Sequence, residues 1–150
     1  MCNIYHEHSH VLSTTADIRN YIFGGKGVVT LLSPTGVHHT YAFQPPKQND
    51  SFTSNTLFVS TLVGENSWKY VGMLSANRTF KATRGSKFPT DSAIFKGAAY
   101  IVKMMYTENL NTPMQLCHEG CCSVCGRPLT NPKSIAIGIG PKCKERYLHV

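Results

Sequence analysis

An α+β fold is predicted: an antiparallel sheet or small open barrel with one packed helix, followed by a compact cysteine-rich module. Three observations predict it. Short apolar, β-branched runs recur between turn signals from residue 28 to 83. After Pro89 the apolar spacing changes to helical periodicity. From Cys117 to Cys143 the chain crowds five of its six cysteines, two of them in the knuckle Cys122-Ser-Val-Cys125.

The elements follow in order. Residues 14–23 predict a short helix, with Thr14 and Asp17 forming a capping pair and Ile18, Tyr21 and Ile22 on one face. Gly24, Gly25 and Gly27 end it; they lack the Gly-Lys-Ser/Thr ending of a phosphate loop. Residues 28–32 and 37–43 form a hairpin about the turn at Ser33-Pro-Thr-Gly36. A polar loop spans 44–55, and strands are expected at 57–63, 68–74 and 79–83. In the last of these, Phe80 and Ala82 face one way and Thr79, Lys81 and Thr83 the other. Pro89-Thr-Asp91 opens a helix with Ile94, Ala98, Ile101 and Met105 in one stripe, widened by Phe95, Val102 and Tyr106. Residues 107–113 are a linker. A β-rich body over 1–110 and a metal-binding module over 111–150 are the expected units.

At 150 residues and 41% hydrophobic composition, the chain can bury a core of ordinary size. No apolar run approaches the roughly 20 residues that span a bilayer. The N-terminus lacks the basic start and apolar centre of a signal peptide. A cytoplasmic protein without membrane contact is expected, and a reducing compartment favours metal over disulfides for the clustered cysteines.

The net charge is +7. Residues 69–103 carry seven Lys and Arg against Asp91 alone, whereas 1–68 carry three against four acidic residues. Such clustering favours a polyanionic partner, nucleic acid first, and competes with the plainer reading of solvated faces. Lys69, Arg78, Lys81, Arg84 and Lys87 are the candidate phosphate contacts, with Trp68 or Phe88 available to stack on bases.

A structural zinc ion takes four ligands. Cys122 and Cys125 present two sulfurs from one knuckle, and Cys143 follows beside the Gly-Pro turn. For the fourth place, His118, Cys117 and Cys121 compete. Leu129 and Ile135 can fill a small core beside the ion, Gly138 and Gly140 permit tight turns, and Pro141 suits the first position of a helix carrying Cys143.

The run His118-Glu-Gly-Cys-Cys-Ser-Val-Cys-Gly-Arg-Pro-Leu-Thr-Asn-Pro-Lys-Ser-Ile, then Gly-Ile-Gly-Pro-Lys-Cys143, resembles an uncharacterised zinc-binding domain common in bacteriophage proteins. Upstream, Phe58-Val-Ser-Thr-Leu-Val-Gly-Glu-Asn, Tyr70-Val-Gly and Ser86-Lys resemble the β-rich segment that often precedes it. The resemblance implies a phage or prophage origin and a structural Zn2+ held by His118, Cys122, Cys125 and Cys143. It implies no activity. The extra cysteines at 117 and 121 depart from its pattern.

Catalytic residues are not expected. The deaminase pattern of His-x-Glu with Pro-Cys-x-x-Cys is absent, as are a nucleophile elbow and paired carboxylates. His6, His8 and His10 alternate and would share one face of a strand, but near the terminus they are expected to be incidental. His38-His39 is expected to be structural. The reading is thus a non-enzymatic accessory protein that binds nucleic acid; the rival is an inhibitor or adaptor docking on a host enzyme or defence protein.

Overall fold

The computed structural model describes residues 10–46, 56–108, 112–130 and 132–147. In chain order the elements are α1 (Thr15–Ile22), β1 (Gly27–Leu32), β2 (His38–Gln44), β3 (Leu57–Gly64), β4 (Ser67–Leu74), β5 (Phe80–Lys81), α2 (Ala93–Tyr106), β6 (Gln115–His118), α3 (Pro132–Ile137) and α4 (Pro141–Tyr147). The strands form one antiparallel sheet in the order β5-β4-β3-β2-β1-β6, curled into a half-barrel.

Strand periodicity sets the faces. Val29, Leu31, Tyr41, Phe43, Leu57 and Val59 point into the core, and Thr30 and Thr40 pair their hydroxyls at 2.8 Å on the other side. A bulge at Val59/Ser60 puts one extra residue, Val71, into β4. Asn66 and Arg78 take positive φ, 56° and 69°, in the turns that end β4's two hairpins.

α2 closes the core. Ser92 caps it, its Oγ accepting the Phe95 N–H at 3.2 Å, so the helix begins just after the predicted Pro89-Thr-Asp91 start. Phe95, Ala98, Ile101, Val102 and Met105 are buried as the stripe predicts, and Met104 joins them. Gly97 is mid-helix because Tyr41 lies over it. A Cβ there would meet the Tyr41 hydroxyl, which donates to the Ile94 carbonyl at 2.8 Å. α1 packs beside α2 and is tied to its end by Arg19, which donates to the Met105 carbonyl at 3.0 Å.

Two expectations change. The strand predicted at 79–83 keeps only Phe80 and Lys81 in the ladder. Phe80 packs on Phe95 at 4.9 Å between ring centroids, and the loop then turns back so that the Lys87 N–H donates to the Tyr70 carbonyl at 3.0 Å. A sixth strand, β6, was not predicted. Its four residues are too few for alternation to show. β6 also carries the 111–150 segment into the sheet of the body: Val29 pairs with His118 and Leu31 with Leu116. The sheet therefore spans the 110/111 boundary.

Candidate metal centre and basic edge

From β6 the chain enters a tight knuckle. The Gly126 N–H donates to the Cys122 carbonyl at 2.8 Å, and the Cys122 N–H to the Arg127 carbonyl at 2.8 Å. Two bonds pin the knuckle to its surroundings, from the Lys26 N–H to the Ser123 carbonyl (2.7 Å) and from the Ser123 N–H to the Gly138 carbonyl (3.0 Å). α3 then reverses the chain, and α4, beginning at Pro141 as predicted, brings Cys143 back. Gly138 makes that return possible. Its φ is 74°, and a Cβ there would come within 2.6 Å of Tyr21 Cε2. Ile139, 1% exposed, is the best buried apolar side chain of this segment, ahead of the predicted Leu129 and Ile135, which are half-buried.

The sulfurs of Cys122, Cys125 and Cys143 all lie within 4.8 Å of one another. A tetrahedral ion with bonds of about 2.3 Å to sulfur needs sulfurs about 3.8 Å apart, so a small closure would seat it. The donor chemistry suits a thiophilic ion. Burial alone would raise the Cys122 thiol, but N–H donors from Gly140, Cys125 and Val124 hold it down at about 7. Two of those donors reach its Sγ directly, Gly140 at 3.3 Å and Val124 at 3.4 Å. Cys143 is pushed up to about 11, first by burial and then by hydrogen bonding to Cys125 and Cys122 and by their charge. Three adjoining thiols resist joint ionisation, and a divalent cation would remove that resistance.

His118 is not brought to this group. It is fully buried, and both ring nitrogens are engaged: Nδ1 accepts the Gly120 N–H at 2.9 Å, and Nε2 lies 2.5 Å from the Ile135 carbonyl, to which it donates. Its ring stacks on His10 (5.0 Å, 9°) and tilts against Tyr21 (5.3 Å). Burial depresses its pKa to about 4, so the imidazole is neutral. His118 thus ties β6, α1 and α3 together. His10 is part of that stack rather than incidental, and nothing in the His6/His8/His10 alternation pointed to it. His6 and His8 lie outside the described residues.

The rival cysteines also lie outside the triad. Cys117 pairs with Thr30 in the sheet on the face opposite Leu116, and burial raises its thiol. Cys121 is disulfide-bonded. The expectation of metal rather than disulfides for the clustered cysteines is therefore corrected at Cys121, while Cys117 is a free thiol. Among the described residues, no fourth donor joins the triad.

The basic candidates fall along one edge of the half-barrel. Lys69 lies on β4, Arg78 in the β4–β5 turn, Lys81 on β5, and Arg84 and Lys87 in the following loop, all exposed. Arg78 is already partly occupied, its guanidinium lying 4.6 Å from the centre of the Tyr106 ring. Trp68 is 41% exposed. Phe88 packs against the core, which removes it as a free stacking platform.

No helix among the described residues is long and apolar enough to cross a membrane. No curated protein matches the chain, and no solved structure matches it. Residues 117–148, from the end of β6 through α4, are similar to a family of unknown function, DUF6011.

Proposed function

We propose that this chain is a small phage-type accessory protein without catalytic activity, which binds nucleic acid along its basic edge and holds its tail together with a structural zinc ion. The observation that carries the binding reading is the exposure of Lys69, Lys81, Arg84 and Lys87 on β4, β5 and the loop that follows, together with the 41% exposed indole of Trp68 on β4. Cationic side chains set along a strand edge can follow a phosphate backbone, and an exposed indole can stack on any base. Zinc is favoured for the triad because thiolate-rich tetrahedral sites suit it and need no redox chemistry. A cytoplasmic setting suits the reduced triad; the Cys121 disulfide is the feature that would favour an oxidising one.

Anisotropy titrations with a fluorescent single-stranded oligonucleotide test the binding. The logarithm of affinity should fall linearly with the logarithm of salt, by about 0.7 per phosphate neutralised. Replacing Lys81 and Arg84 by Glu should weaken binding alike for all sequences. Absence of binding, or affinity indifferent to salt, refutes the reading.

One observation favours an adaptor directed at a host protein. Val63 and Trp68, 45% and 41% exposed, flank the turn joining β3 and β4 and are large apolar side chains left open to solvent. A partner recovered from nuclease-treated lysate by the wild type, and lost with Trp68→Ala, would select this reading.

A further inference from the structure

The three sulfurs open onto a cavity of about 540 Å³, large enough for a small molecule beside the ion. Its rim carries Arg127, Lys142 and Arg146, and no carboxylate lines it among the described residues. Among the described residues the nearby alternative donors stand apart from the triad: His118 is bonded through both nitrogens, Cys121 is in a disulfide, and Cys117 is a free thiol on the sheet face opposite Leu116. The triad therefore faces a cationic cavity on the side where a fourth ligand belongs.

We infer that the metal's fourth coordination position opens into this cavity and takes an oxyanion of phosphate type, clamped by Arg127 and Arg146. The inference rests on the zinc reading of the triad. Three thiolates on a divalent ion leave the centre with one net negative charge, which the rim more than offsets. The surplus positive charge favours an anionic fourth ligand over water alone. Guanidinium groups present parallel N–H donors that match two phosphate oxygens, leaving a third for the metal. Lys142 adds a point charge at the same mouth. Binding needs no redox step and no covalent exchange beyond displacement of a metal-bound water.

The full-length protein loaded with cobalt(II) provides the readout. Its thiolate-to-metal charge-transfer bands report the triad, and its ligand-field bands report the fourth position. Titration with inorganic phosphate at constant ionic strength should shift the ligand-field bands saturably while leaving the charge-transfer bands in place. Arg127→Ala and Arg146→Ala should each weaken that phosphate affinity by about tenfold or more, and Arg146→Lys should restore only part of it. X-ray absorption in phosphate should show three sulfurs and one oxygen at the metal.

Oligonucleotides of one sequence, with a 5′-phosphate or a 5′-hydroxyl, identify the source. A shift with the phosphorylated strand but not its hydroxyl counterpart assigns the site to a nucleic-acid end; a shift with inorganic phosphate alone assigns it to free phosphate. Ligand-field bands unmoved by either probe, or a fourth donor supplied by the chain itself, overturn the inference while leaving the zinc reading intact. Absent charge-transfer bands overturn both.

Discussion

Replacing His118 separates a residue that joins elements from one that holds metal. His118→Ala removes a fully buried imidazole and leaves the Gly120 N–H and the Ile135 carbonyl without their partners. Each stranded group costs about 1–3 kcal/mol, and the emptied space between His10 and Tyr21 adds a packing loss. These contributions overlap, so an overall destabilisation of about 3–5 kcal/mol is expected. His118→Gln keeps an N–H able to reach the Ile135 carbonyl and should cost about half as much. Urea unfolding of the metal-loaded protein measures both, alongside metal content by elemental analysis. Both variants should keep one metal per chain wherever they remain folded. A His118→Gln protein with an unchanged unfolding midpoint and no metal would refute the assignment and make His118 the fourth ligand.

Three more outcomes follow from the same geometry. Cys143→Ser should abolish metal binding, whereas Cys117→Ser and Cys121→Ser should retain it; elemental analysis decides, and metal loss in the Cys121 variant would contradict the disulfide. Stability should also depend on the protonation of His118. Its pKa falls from 6.5 to about 4 on folding, so between those values the unfolded chain binds more protons, and stability declines as pH drops through that window. The full effect is about 3 kcal/mol. His118→Gln should flatten this part of the pH–stability curve, and an unchanged curve would contradict the burial argument. Gly138→Ala must place a methyl group against Tyr21 at a φ of 74°. A loss of about 2 kcal/mol, or a Tm lower by about 4–8 °C, is expected, and a change within 0.5 kcal/mol would contradict the close approach.

Much of this protein was legible along the chain because the signals were local. Alternating apolar residues placed β1 to β4, and the stripe of Ala98, Ile101 and Met105 placed α2. Thr14 accepts the Asp17 N–H at 3.1 Å, as the capping pair implied. The knuckle spacing and the Gly-Pro turn before Cys143 named the three sulfurs that converge. Each of these depends on contacts within a few residues or on a face shared by a continuous run.

Tertiary structure decided what lies between distant segments. β6 is too short to declare itself, and it is a strand because β1 offers an edge for it to pair with. Spacing made His118 a plausible ligand. Its actual role follows from enclosure by α1, β6 and α3, where the Gly120 N–H and the Ile135 carbonyl take both ring nitrogens. Phe88 was likewise an aromatic beside basic residues until the core claimed it. Residue type and spacing determined which groups this chain possesses; burial and the direction of each side chain determined which of them remain available for chemistry.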